Sequence, residues 1–113
     1  MTVRRERQIE IAAPPVQTAG WVRRALAAQS GEFSYKILND ALESGGSEAR
    51  IIPRWYPLLA STGFSVALRP GAAGTLVTAA TRSQFFVIGD IFGFYNRYLD
   101  VFFASLEAQR RLG

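Results

Sequence analysis

Five polar residues in the last third of the chain have the types and spacing of a small anion-binding cluster. Arg82 and Ser83 stand near the end of an expected strand, and Asp90, Asn96 and Arg97 surround the start of an expected helix. Exposed N–H groups at a helix start, together with guanidinium groups, can hold an anion. The structural alternative is that Asp90 caps the helix, an arginine pairs with it and Asn96 anchors a loop. We favour the structural alternative.

Aromatic side chains form a second candidate site, for an apolar ligand between a helix and a sheet. Ordinary core packing is the favoured alternative, because aromatic stripes at helical spacing usually serve packing. The pair Trp55 and Tyr56 is also a candidate partner surface, since it lies beside an expected strand edge or loop. The full set is Trp55, Tyr56, Phe64, Phe92, Tyr95, Tyr98 and Phe102.

Residues suited to catalysis are scarce. The 113-residue chain has no histidine and no cysteine, so it lacks the commonest general base, the commonest transition-metal ligand and any thiolate nucleophile. None of its nine acidic residues stands in an apolar context that implies a raised pKa. We therefore predict no catalytic residues, no metal site and no cofactor, and we predict that the protein is not an enzyme.

Arginine dominates the basic residues. Lysine and arginine together number 13 against 9 acidic residues, which gives a net charge of +4, and Lys36 is the one lysine. Arginine suits phosphate, so nucleic-acid binding is one hypothesis. The arginines are scattered in ones and twos, however, which is typical of a solvated surface, and nucleic acid is the least favoured partner. The residues concerned would be Arg4, Arg5, Arg7, Arg23 and Arg24.

Hydrophobic alternation predicts strands at 2–11, 33–37, 49–56, 64–69 and 75–86. Apolar residues at helical spacing predict helices at 16–29 and 90–112. The first helix would bury Ala19, Val22 and Leu26. Residues 37–43 could instead form a short helix, but we prefer strand. Pro53 suggests an edge position or a bulge. The predicted fold class is α+β: a two-layer sandwich in the order β-α-β-β-β-β-α, with a mostly antiparallel sheet covered on one face by two helices.

The length suits a single domain, residues 1–113. No apolar run approaches the roughly 18 residues that a membrane-spanning helix needs, and the N-terminus has no apolar segment typical of a secretory signal. We therefore expect a cytoplasmic protein without a membrane span.

The C-terminal half resembles a bacterial family of uncharacterised proteins, domain-of-unknown-function family fourteen-ninety-nine. The likeness lies in Thr-Arg-Ser-Gln at 81–84, Gly-Asp-Ile-Phe-Gly at 89–93, Asn-Arg-Tyr-Leu at 96–99 and Phe-Phe-Ala-Ser-Leu at 102–106. The N-terminal Ile-Glu-Ile-Ala-Ala-Pro-Pro at 9–15 is similar to the start of START-like helix-grip domains. That second resemblance implies an apolar ligand held between the sheet and the C-terminal helix. Neither resemblance implies a known reaction.

Three functions remain open from the sequence. The first is a non-catalytic binding or interaction module, a possible homodimer formed through the sheet edge or through the apolar cluster Trp-Tyr-Pro-Leu-Leu at 55–59. The second is a carrier or sensor of a small apolar ligand held between the sheet and the C-terminal helix. The third is nucleic-acid binding through the scattered arginines.

Overall fold

The described residues form five strands and two helices in the predicted order. The computed structural model describes residues 3–28, 33–42, 44, 46–53, 63–83 and 94–112. The strands are β1 (Val3–Ile11), β2 (Phe33–Ala41), β3 (Gly46–Pro53), β4 (Gly63–Pro70) and β5 (Thr75–Ser83), and the helices are α1 (Pro15–Ala27) and α2 (Phe94–Leu112).

The strands form one sheet in the order β1-β5-β4-β3-β2, with every neighbouring pair antiparallel. Side chains alternate along a strand, which gives the sheet two different faces. On the inner face, which carries both helices, cross-strand neighbours such as Thr81, Phe64 and Ala49 are buried. The outer face carries charged residues such as Arg4 and Arg82, together with small residues and the aliphatic residues Ile52 and Leu76. These features confirm the predicted α+β sandwich.

The core lies between the inner face and the two helices. Ala19, Val22 and Leu26 of α1 are buried, as predicted. Phe102 of α2 has no exposed surface, and full burial of such a side chain contributes about 1.5–3 kcal/mol to stability. Helix α1 begins with Pro15 at a position where its missing N–H costs nothing. The apolar stripe of each helix therefore fixes which face of the sheet is covered.

Strand β2 confirms the preferred interpretation of its segment and excludes the alternative. It continues to Ala41, so the alternative of a short helix at 37–43 is wrong. The register of β2 against β3 shifts between Ile37 and Asn39, which identifies a bulge at Leu38. An extra residue in one strand reverses which later side chains face the core. Asp40 consequently lies opposite the buried Ser47, on the inner face.

Strand β3 begins earlier in the chain than predicted, at Gly46 instead of 49, and the predicted strand residues 54–56 lie outside the described residues. It runs between β4 and β2, and the described bulge lies in β2. Pro53 pairs with Phe33 of β2, and the described part of the β3–β4 ladder reaches Arg50, so the edge position predicted for Pro53 stays a prediction. The predicted helix start at 90 and the strand residues 84–86 lie outside the described residues.

The β2 bulge places a carboxylate against α1. Arg23 donates two hydrogen bonds to Asp40, from Nε to Oδ2 at 2.9 Å and from Nη2 to Oδ1 at 3.0 Å. The hydrogen bonds from Arg23 lower the pKa of Asp40. A helix residue and an edge-strand residue are thereby joined by a bidentate ion pair.

Replacing Asp40 with asparagine tests this ion pair. Because the folded-state pKa of Asp40 lies below the unfolded value of about 3.9, its stabilisation is present above that value and is lost as pH falls through the folded pKa. The pair is well exposed, so we expect Asp40→Asn to lower the free energy of unfolding by only about 0.5 kcal/mol near pH 7. Urea denaturation should show a smaller difference near pH 3, and an equal difference at both pH values would contradict this account.

The β4–β5 turn supplies a second test. A Cβ atom at Gly74 would lie 2.1 Å from the carbonyl oxygen of Ile11 and 2.8 Å from the amide nitrogen of Ala13. Both atoms belong to the backbone, so Gly74→Ala should lower the free energy of unfolding by more than about 2 kcal/mol. At Gly20 of α1 the added atom meets nothing within 4 Å, and Gly20→Ala should raise stability by about 0.5–1 kcal/mol. Chemical denaturation measures both, and equal stabilities for the two variants would contradict the steric explanation.

Candidate functional site

An aromatic cluster connects the inner face of the sheet with α2. Its ring pairs are Phe64–Phe102 at 5.0 Å between centroids, Tyr35–Phe64 at 5.2 Å and Phe33–Tyr98 at 4.8 Å. Most of these rings meet edge to face or tilted, the geometries that aromatic quadrupoles prefer. The members of the aromatic cluster are Phe33, Tyr35, Phe64, Tyr98, Phe102 and Phe103.

Among the residues that the structure describes, two buried hydroxyl groups beside this cluster have no hydrogen-bonding partner. They are Tyr35 Oη and Thr81 Oγ1. Phe64 neighbours both residues, as the cross-strand partner of Thr81 and through its ring contact with Tyr35. Burial raises the pKa of the Tyr35 phenol, so this group keeps its proton at neutral pH. The cluster therefore offers two polar contacts in otherwise apolar surroundings.

One arginine contacts the margin of the aromatic cluster. Arg7 lies on the inner face of β1, where its guanidinium donates to the Asp100 carboxylate of α2. The same guanidinium lies over the ring of Phe103, with 6.0 Å between Cζ and the ring centroid. Strand β1 and helix α2 are thus joined at the margin of the aromatic cluster by a charged contact.

Three of the seven predicted aromatic residues meet in this cluster, namely Phe64, Tyr98 and Phe102. The side chain of Tyr95 and the predicted residues Trp55, Tyr56 and Phe92 lie outside the described residues. Four contributors were not predicted from the sequence, although two of them, Phe33 and Tyr35, alternate within an expected strand, which indicated a shared face. These contributors are Phe33, Tyr35, Thr81 and Phe103.

The predicted anion cluster is divided between the two layers. Arg82 is exposed on the outer face of β5, whereas Asn96 and Arg97 are exposed at the start of α2, which packs on the inner face. Asp90 and the side chain of Ser83 lie outside the described residues. The cluster as a whole stays a prediction.

The arginines considered for nucleic acid do not share one face. Arg4 belongs to the outer face of β1 and Arg7 to the inner face, while Arg23 is engaged with Asp40. Within the described ranges, no three acidic residues come together in a group suited to a metal ion. Neither described helix is long and apolar enough to cross a membrane.

Sequence comparisons identify no family. No protein-family model matches the chain, and no curated protein matches it. Membership of domain-of-unknown-function family fourteen-ninety-nine therefore stays a prediction.

Solved structures show that the fold is shared with other proteins. The protein MLL2253 from Mesorhizobium loti has a TM-score of 0.64 at 16% identity, over 98% of this chain and 97% of that one. An uncharacterised protein from Rhizobium leguminosarum has a TM-score of 0.61 at 10% identity, over 100% of this chain and 97% of its own. Ara h 8.0201 has a TM-score of 0.55 at 9% identity, over 96% of this chain and 97% of its own. At these identities the likeness establishes the fold alone.

Proposed function

We propose that the protein is a non-catalytic binding module that holds a small, mostly apolar ligand with one polar group between the inner face and α2. The observation that carries the proposal is the pair of buried, unpartnered hydroxyl groups of Tyr35 and Thr81. The fold that this chain shares with Ara h 8.0201 agrees with the START-like resemblance in the sequence, which implies a ligand in the same place.

Burial of these hydroxyl groups without a partner costs free energy of folding. A buried polar group without a partner costs about 1–3 kcal/mol, and most buried polar groups in native proteins are paired. A ligand that supplies one donor or acceptor would offset this cost for Tyr35 Oη or Thr81 Oγ1. The rings of Phe64 and Phe102 would contact its apolar part.

The charges around the aromatic cluster favour binding over catalysis. The Tyr35 phenol keeps its proton because burial raises its pKa, which makes it a hydrogen-bonding group and not a base. Asp100, the acidic residue at the margin of the cluster, is 65% exposed and engaged with Arg7. Neither group has the properties of an active general base.

Paired ring compounds test the proposal. We expect 2-naphthol to bind more tightly than naphthalene by about tenfold, because one additional hydrogen bond to a buried partner contributes roughly 1–1.5 kcal/mol. Tyr35→Phe and Thr81→Val should together abolish this preference while naphthalene affinity changes little. Isothermal titration calorimetry measures the affinities, and native mass spectrometry of the purified protein shows any retained ligand.

The stability of the variants provides the control. Thr81→Val removes an unpartnered buried hydroxyl with little change in volume, so the ligand-free variant should be at least as stable as the parent protein. Absence of binding by both compounds would contradict the proposal. So would equal binding of both compounds by the parent protein.

Self-association through the sheet edge is a second candidate function, supported by one observation. Strand β2 is an edge strand, and its residues Ile37 and Leu38 are 44% and 55% exposed. An edge strand with exposed aliphatic side chains offers both unpaired backbone groups and apolar surface to a second copy.

Leu38→Lys tests this candidate, because a charge at an edge strand opposes pairing with another strand. If the protein is a homodimer through β2, light scattering should show a dimer for the parent protein and a monomer for the variant. Val16→Lys is the matched control, since Val16 is 80% exposed and belongs to α1 instead of the sheet. A parent protein that stays monomeric at high concentration, or a dimer that survives Leu38→Lys, would rule out this interface.

A further inference from the structure

One row of residues across the outer face carries four cations. Arg4 pairs with Arg82, Arg82 with Gly63, Gly63 with Arg50, and Arg50 with Lys36. Directly paired residues of an antiparallel sheet lie side by side on one face, about 5 Å apart. The row therefore crosses all five strands and spans about 20 Å. We call these residues the basic row: Arg4, Arg82, Gly63, Arg50 and Lys36.

Like charges are directly opposed twice in the basic row, at Arg4–Arg82 and at Arg50–Lys36. Such pairs destabilise a sheet. Arg4 is relieved by Glu6, whose Oε2 lies 2.8 Å from Nη2 of Arg4. Among the described residues, Lys36, Arg50 and Arg82 form no ion pair. An anion would relieve the repulsion that remains.

A groove of about 510 Å³ opens at the basic row. Its lining includes the guanidinium-bearing residues Arg4, Arg50 and Arg82, with Gly63 among them on the central strand β4. Gly63 has no side chain to fill the space between Arg82 and Arg50, and a Cβ added there would meet just one atom, at 3.6 Å. The volume falls within the range of small-molecule sites, about 300–1,000 Å³.

The chemistry of the lining indicates the class of ligand. Guanidinium groups match the oxygens of a phosphate group in geometry and charge. The next row of the outer face brings Glu48 and Ser65 into the same groove, and their oxygens can accept hydrogen bonds from hydroxyl groups. The described outer face has no aromatic residue, so it lacks the platform on which single-stranded nucleic acid stacks its bases.

We propose that this groove binds a small hydroxylated organic phosphate, with Arg82 and Arg50 on the phosphate and Glu48 on a hydroxyl group. The site lies on the face of the sheet opposite the aromatic cluster. It is therefore independent of the ligand proposed for the inner face.

Calorimetric titration with glucose 6-phosphate, ribose 5-phosphate and AMP tests the proposal at a salt concentration of about 50 mM. At least one compound should bind with a Kd below about 1 mM, and glucose should not bind. Arg82→Gln and Arg50→Gln should each weaken the affinity by about tenfold or more.

Arg69→Gln is the matched control. Arg69 is exposed on the same outer face, and its pairing with Leu76 places it at the far end of β4 from Gly63. The substitution removes the same charge, yet the affinity should change by less than about twofold. An equal loss for Arg69→Gln and Arg82→Gln would overturn the proposal, because attraction would then follow net charge and not the groove.

Gly63→Val separates the shape of the groove from its charge. Valine should fill the space between the arginines while favouring the strand, so we expect binding to be lost and thermal stability to be kept. Arg82→Gln, at an exposed position, keeps the test valid if the valine variant does not fold.

Binding of a labelled single-stranded DNA of about 20 nucleotides tests whether the basic row holds a polyanion instead of a small phosphate. If DNA binds, the organic phosphates do not, and Gly63→Val leaves DNA affinity unchanged, then the basic row serves a polyanion and the proposal is overturned. Failure of all three organic phosphates to bind overturns it as well.

Discussion

The packing of α2 across the inner face through Phe102 is the interaction on which the rest of the structure depends. Phe102 is fully buried and contacts the rings of Phe64 and Tyr35, which come from two different strands. A wide apolar stripe on a helix must be covered, and the inner face is where these strands present their apolar side chains. This packing also determines which face stays open to solvent, and so it separates the aromatic cluster from the basic row.

Much of the architecture could be predicted from sequence because its causes are local. Period-two alternation identified the strands, and the stripe Ala19, Val22 and Leu26 identified the buried side of α1. The alternative of a short helix at 37–43 arose because a bulge breaks that alternation at the exposed Leu38. The order of the strands could not be predicted in this way, because it depends on pairing between distant segments, which a local signal does not contain.

The candidate sites were harder to predict for the same reason. Aromatic spacing along α2 indicated Tyr98 and Phe102, but Tyr35 joins them from an edge strand distant in sequence. The unpartnered state of Thr81 depends on what surrounds it in the folded core, and a threonine in a strand carries no such signal. The basic row was missed because its cations come from four strands and align only through the registers of four ladders. The arginines that were grouped from the sequence are neighbours along the chain. Successive side chains of a strand point to opposite faces, so such neighbours do not lie side by side.

Because side chains alternate along a strand, residues of the two opposite faces are direct neighbours in the sequence. Thr81 belongs to the inner face and Arg82 to the outer face, and on β4 the buried Phe64 stands between Gly63 and Ser65, which line the groove. A shift of the backbone at this point would move residues of both sites, because consecutive residues share one peptide plane. Cores and sheets at native packing density resist such shifts. Any coupling between an apolar ligand on the inner face and an anion on the outer face would therefore pass through β4 and β5, where the two sets of residues interleave.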